Sequence, residues 1–317
     1  MSKLVMAIPS KGRLKEQTDA YLAGAGFKLK QTGGDRGYAA ELKGVEGVEM
    51  RLMSASEIAR GVINGDIHIG VTGEDLLRET APKMESVVHL LKPLGFGFAR
   101  LIVAAPQSWI DVETMSDLDE VGAIHQEQTG RRMRVATKYM RLARQFFSQT
   151  GVGHYRIVES AGATEGAPAS GSAELIVDIT TTGATLAANG LKIISDGEIL
   201  ASQAQLAASL KADWSEEAKS TLRVLLDSIE ARKRAESCVS LRYNPSLSAA
   251  AAKKSAAGVN SANFVAPGEV LCTESDLQTL ARGLCEVGGS PVGVYRPEYI
   301  FEAHNPVFEE FIAKLSN

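Results

Sequence analysis

An α/β fold in two lobes with a small α/β appendage is the class this 317-residue chain predicts. Short apolar runs alternate with helix-period segments from residue 3 onward, and glycine turns close many of the runs. That alternation is the grammar of an open parallel sheet. A dense apolar passage at 87–106 then reads as a crossing from one lobe into a second. The length suits two or three domains rather than one core, with 44% hydrophobic and 23% charged residues.

The elements follow in order. KLVMAIP (3–9) is a buried strand, SKGR (10–13) a loop, and LKEQTDAYLAGAG (14–26) a helix with Leu14, Thr18, Tyr21 and Leu22 on one face. VEMRLM (48–53) is a strand, ASEIARGVINGD (55–66) a helix capped by Ser54 or Ser56, and HIGVTG (68–73) a strand ending in a glycine turn. Past the crossing, MRVATKY (133–139) leads into the helix RLARQFF. YRIVESAG (155–162), a short helix around 165–173 and AELIVDI (173–179) repeat the pattern. LKIISDGEIL (191–200) supplies a strand pair, and SQAQLAASLKAD reads as a helical face. Residues 215–238 form a long helix with Leu222, Leu225, Leu226 and Ile229 on one side. LSAAAAKKSAAG (247–258) reads as a linker or a poorly packed helix. The remainder reduces to strand NFVAP, helix ESDLQTLARGLCEVGG, strand VGVYRP and helix NPVFEEFIAKL, one strand–helix–strand unit with a terminal helix.

A net charge of −4 argues against nucleic-acid and anionic-membrane partners, though it permits a local basic pocket for phosphates. Cys238, Cys272 and Cys285 lack metal-ligand spacing and read as reduced thiols, as in a cytoplasmic protein. No window reaches membrane-spanning length, and the N-terminal apolar stretch is too short for a signal sequence.

The chemistry concentrates where strands end. TTTGATL (180–186) follows ELIVDI with hydroxyls, a glycine and a plausible first helical turn. Backbone N–H groups and hydroxyls at such a point can cradle a phosphate. Thr181, Thr182 and Thr185 offer side-chain donors, and Gly183 permits close approach. Asp178 sits at the strand's carboxyl end, where open α/β sheets place ligands. No lysine of the P-loop kind follows. Glu165 lies in the glycine-bracketed GATEGAPASG, and with Asp178 could hold Mg²⁺ against a polyphosphate. Lys11 and Arg13 could contact the phosphates of a second substrate, and Asp75 in GVTGEDL marks a third loop at the same edge.

Together AIPSKGRL, GVTGEDLL, LGFGFARLIVAAP, RVATKY, SAGATEGAPASGSAELIVDITTTGATLAANGL and ILASQAQL resemble the ATP phosphoribosyltransferase family, the first committed enzymes of histidine biosynthesis. The segments run in family order over residues 3–210, and the stretch 160–190 is the most specific. The resemblance implies two periplasmic-binding-protein-like lobes around a cleft: 1–95 with 185–212 as lobe I, and 96–184 as lobe II. A connecting helix (213–240) and a small regulatory or assembly domain (241–317) would follow. It also implies that ATP and phosphoribosyl pyrophosphate react, with Mg²⁺, to give N1-(5-phosphoribosyl)-ATP and pyrophosphate.

By the same resemblance, Thr181, Thr182, Gly183, Ala184 and Thr185 wrap the 5-phosphate, while Glu165 and Asp178 handle the ribose hydroxyls, the Mg²⁺ or both. Lys11 and Arg13 act as catalytic and ATP-facing cations, with Arg36, Arg51 and Asp75 completing the ATP side. Two positions depart from the family. His68 stands where an acid is common, and Ser54 where an arginine is usual, leaving Arg51 or Arg36 to substitute. The resemblance further implies a homo-oligomer, dimer or hexamer, and histidine as feedback inhibitor. The rival reading is a two-lobe solute- or nucleotide-binding or regulatory protein without catalysis. The missing export signal and the paired Glu165 and Asp178 disfavour it.

Overall fold

The computed structural model describes residues 3–32, 39–160 and 162–316, so Arg36 lies outside the described residues. The chain divides into two compact units. The first comprises Met1–Ala20, Lys30–Glu41 and Val48–Ser215, and the second Tyr21–Leu29, Leu42–Gly47 and Glu216–Asn317.

The chain opens with β1 (Leu4–Pro9), α1 (Gly12–Gly24), β2 (Lys28–Thr32), β3 (Ala39–Lys43), β4 (Val48–Met53), α2 (Ala55–Asn64), β5 (Ile69–Gly73), α3 (Glu74–Thr80) and β6 (Val88–Pro93). The chain crosses into β7 (Ala99–Pro106), α4 (Met115–Thr129), β8 (Met133–Thr137), α5 (Met140–Gln149), β9 (Tyr155–Glu159), β10 (Leu175–Thr180), α6 (Ala184–Ala188) and β11 (Leu191–Ser202). It then returns through β12 (Ala204–Ser209). One sheet has the order β2-β3-β4-β1-β5-β12-β6 and the other β11-β7-β10-β8-β9. Parallel pairing of β1 with β4 and β5, and of β8 with β9 and β10, sends the carboxyl ends of these strands to one edge of each sheet. Two α/β lobes joined by two crossings are the periplasmic-binding-protein-like plan. The crossings are also bonded to each other: Leu94 N–H donates to Ala204 O and Ala204 N–H to Phe96 O, both at 3.0 Å.

Local chemistry explains the elements. Ser54 caps α2 in a reciprocal box with Glu57, and Gly65 ends the helix at φ 92°. The position where the family usually has arginine is therefore a helix cap. Ile58, Val62 and Ile63 of α2 bury against β5 and β1. In the second lobe, Leu101, Val103, Val135, Phe147 and Val177 form the core. His68 is a core residue too. Its Nδ1 accepts from Val5 N–H (3.1 Å), which leaves Nε2 to donate to Asp213 O (2.9 Å), and its ring meets Trp214 edge-on.

SQAQLAASLKAD does not form a helical face. Residues 204–209 are β12, buried throughout and antiparallel to β5 and β6. Strands buried on both faces show no period-2 alternation, and an alanine-rich one mimics a helix.

The second unit is built on α7 (Glu216–Glu236), followed by β13 (Val239–Arg242), α8 (Ala249–Ser255), β14 (Asn263–Ala266), β15 (Glu269–Cys272), α9 (Leu277–Glu286), β16 (Gly293–Tyr295) and α10 (Pro306–Leu315). On α7, Leu222, Leu225, Leu226 and Ile229 are buried, as their spacing predicts. The tail holds more than one strand–helix–strand unit: its sheet has the order β14-β15-β13-β16, all antiparallel. LSAAAAKKSAAG is not a linker, since α8 is capped by Ser248 and buries Ala252. It lies so close to α9 that a Cβ on Gly283 would stand 2.5 Å from the Ser255 carbonyl oxygen. Leu277, Leu280 and Leu284 bury in this domain's own core.

Candidate active site

The site is assembled by β10. Leu175, Ile176 and Val177 are fully buried, and the strand emerges at Asp178 into a loop of hydroxyls. That loop is preorganised. Thr180 Oγ1 accepts the Gly183 N–H at 2.9 Å, and Thr181 Oγ1 donates to Phe98 O at 3.3 Å. Gly183 sits at φ +79° as the residue before α6, a conformation that L side chains rarely adopt. Ala184 N–H points at Thr182 Oγ1 from 3.4 Å. Thr181, Thr182, Ala184 and Thr185 are exposed around this turn.

A cavity of about 460 Å³ opens beside the loop. Thr180, Thr181, Thr182 and Thr185 line it from one side, with Asp178 and Glu165 adjacent and Arg13 entering from the start of α1. Residues far apart in sequence thus meet because both sheets direct strand ends toward it. The Asp178 carboxyl is pushed above the ordinary aspartate value by burial, and the nearby Glu165 charge adds to that. The Ile179 N–H (2.8 Å) and the Lys138 ammonium pull the other way. Two acids that repel each other, sharing a cavity wall with an arginine and four threonines, suit a ligand carrying both phosphates and hydroxyls.

Other expected residues lie elsewhere. Lys11 is exposed in the turn between β1 and α1, next to Arg13 in sequence but outside the cavity lining. Arg51 is held on β4 by Glu49 (2.8 Å) and the Asp66 carbonyl (3.2 Å). Asp75, at the start of α3, is buried. It accepts from Tyr139 Oη at 2.6 Å and Ser202 Oγ at 2.8 Å, a bond network joining the two lobes rather than a cavity wall. Burial and the Asp75 charge push the Tyr139 hydroxyl far upward, so it stays a donor.

Sequence reasoning missed Lys138 and Tyr139. Both stand just past β8, the parallel neighbour of β10, so their place at the same edge is the signal that could have found them.

As for metals, no cluster of three or more His, Cys, Asp or Glu suited to an ion exists among the described residues. The Glu165 and Asp178 pair fits a Mg²⁺ ion completed by substrate oxygens rather than a closed protein cage.

Comparisons with known proteins point to one family. The model of the family described as HisG, ATP phosphoribosyltransferase, matches residues 54–231. An ATP phosphoribosyltransferase of Caulobacter vibrioides is 54% identical over 314 residues, covering 99% of this chain and 98% of the relative. One from Bradyrhizobium diazoefficiens is 50% identical, covering 98% of each. Among solved structures, a chain of the ATP phosphoribosyl transferase (HisG:HisZ) complex from Thermotoga maritima superposes with a TM-score of 0.54 at 25% identity. The match covers 72% of this chain and 98% of that one. With the motifs, the two lobes and whole-length identity in agreement, this chain belongs to the ATP phosphoribosyltransferase family.

Proposed function

We propose that this chain transfers the 5-phosphoribosyl group of phosphoribosyl pyrophosphate to N1 of ATP, releasing pyrophosphate as the first step of histidine biosynthesis. The observation that carries the reading is the single cavity in which the threonine loop, two acids and Arg13 converge. The 5-phosphate sits against Thr181, Thr182, Gly183, Ala184 and Thr185. Asp178 and Glu165 take the ribose hydroxyls, and they would also hold Mg²⁺, which supplies charge neutralisation to the pyrophosphate when bound. Arg13, with Lys11 beside it, faces the pyrophosphate and the ATP phosphates.

In the reaction the N1 lone pair forms a bond to ribose C1 while the C1–O bond breaks and its electrons leave with pyrophosphate. N1 of adenine carries no proton, so no general base is needed to expose it. Positioning the reactants and stabilising charge at C1 are the main demands on the protein.

We further propose a cytoplasmic homo-oligomer, dimer or hexamer, with histidine as feedback inhibitor through the C-terminal unit. Exposed Phe301, Tyr295 and Val294 in that unit support an assembly surface. The test of the reaction is direct. Purified protein given ATP, phosphoribosyl pyrophosphate and Mg²⁺ should release pyrophosphate and develop new ultraviolet absorbance only when all three are present. Binding of phosphoribosyl pyrophosphate without turnover would favour the non-catalytic reading instead.

A further inference from the structure

A second cavity, of about 650 Å³, lies at the opposite edge of the second lobe. Its wall is formed by the end of α4 and the starts of β8 and β9, whereas the candidate active site is at the strands' carboxyl ends. Four of its nine lining residues are arginines: Arg131, Arg132, Arg134 and Arg156. In a chain of net charge −4, that concentration does not come from general basicity.

The arginines are not equivalent. Arg134 is spent inside the protein, with Nη2 on Glu174 Oε1 at 2.6 Å and on Gly171 O at 2.9 Å. Glu174 is the sole acid in the lining and is occupied by this pair. Arg156 stands directly across from Arg134 in the β8–β9 register. Among the described residues, the guanidiniums of Arg131, Arg132 and Arg156 take part in no hydrogen bond or ion pair. The carbonyl pole of α4, which ends at Gly130, accounts for some attraction of Arg131. No such pole accounts for Arg156 on β9.

Uncompensated guanidiniums around one concavity repel each other and present planar forks suited to phosphoryl oxygens. The volume is within the range of small-metabolite pockets. Tyr155 adds an aromatic surface to the wall. We propose that this cavity binds a small anion bearing at least two phosphoryl groups, at a site separate from the reaction.

The test titrates the full-length protein with inorganic tripolyphosphate at low ionic strength. Three proteins are compared: wild type, Arg13→Ser to weaken the candidate active site, and a triple variant carrying Arg131→Ser, Arg132→Ser and Arg156→Ser. Thermal melting checks that each is folded. The expected result is a binding component that persists in Arg13→Ser and weakens by about tenfold or more in the triple variant, whose intact active site keeps a separate component of its own. Citrate, an anion of similar charge without phosphoryl groups, should bind more weakly than tripolyphosphate. Binding lost only in Arg13→Ser would overturn the proposal, as would no binding at millimolar tripolyphosphate. Citrate binding as tight as tripolyphosphate would overturn its assignment to phosphoryl groups.

Discussion

At Asp178 a carboxylate is held where burial and Glu165 both oppose its charge. Its folded pKa lies above the ordinary 3.8, so its contribution to stability is most favourable below that value. That contribution is lost as pH rises through the folded pKa. Asp178→Asn, which keeps an acceptor for Ile179 N–H, should therefore melt higher than wild type at neutral pH. The advantage should fade as the pH is lowered toward 3.8. Over the same comparison kcat/KM should fall by roughly a hundredfold or more. Calorimetric melts across pH, paired with steady-state rates, check both halves. A variant that retained full activity would remove Asp178 from the site.

Gly183→Val should act through the backbone. Its added Cβ has room, the nearest atom being Ile193 Cδ1 at 3.7 Å, but φ +79° strains a β-branched residue by roughly 1–3 kcal/mol. A folded but less stable protein that no longer binds phosphoribosyl pyrophosphate in titration is the expected outcome, and unchanged affinity would count against the loop. Thr182→Val should be milder in binding, about 1–3 kcal/mol.

At this scale the sequence was informative wherever composition itself carried chemistry, as in the threonine loop. It was silent where a role depends on neighbours across the fold. Asp75 in GVTGEDL looks like a ligand residue, and only the positions of Tyr139 and Ser202 show that its carboxylate is already taken. His68 likewise looks out of place in the sequence, and only the fold shows that the Val5 N–H and the Asp213 carbonyl give its ring two backbone partners.

Among the elements, amphipathic ones were legible, and so were enclosed strands rich in branched side chains such as β1 and β10, but the enclosed alanine-rich β12 was not. The apolar spacing on α7 predicted its buried side, because one face meets water and the other does not. β12 is enclosed on both faces and shows no alternation, and its alanines lack the branched side chains that marked β1 as a strand. The APGE turn between β14 and β15 carries Gly268 at φ +84°, a hairpin signal that the strand-by-strand reading of the tail passed over. α8 was unreadable for another reason: alanines that look like low complexity are the small side chains a close helix pair needs. Gly283→Val puts a side chain against the Ser255 carbonyl, a backbone group that cannot swing aside. Denaturant unfolding should show a loss of about 1–3 kcal/mol or more. An unchanged midpoint would mean that the two helices are not so tightly packed.

For the whole molecule, the C-terminal segment is structurally tied to α7. Ile300 N–H donates to Ala231 O at 3.0 Å, Arg223 reaches Ala303 O at 2.9 Å, and Asn305 holds Asp227 at 2.8 Å. Deleting 240–317 strips these partners and uncovers apolar surface on α7, so the truncated chain should change its assembly state. Sedimentation before and after truncation measures this, and an identical oligomer would refute the assembly proposal.

The return crossing has a consequence for biosynthesis. In the first sheet β6 pairs, among the described residues, with β12 alone, and β12 is made after the whole run from β7 to β11. The second lobe's strands, by contrast, form one uninterrupted stretch of chain. A ribosome therefore delivers everything the second lobe's sheet needs before it delivers the strand that completes the first. During that interval the apolar residues of β6 emerge without their partner, and the lobe encoded first is the lobe finished last.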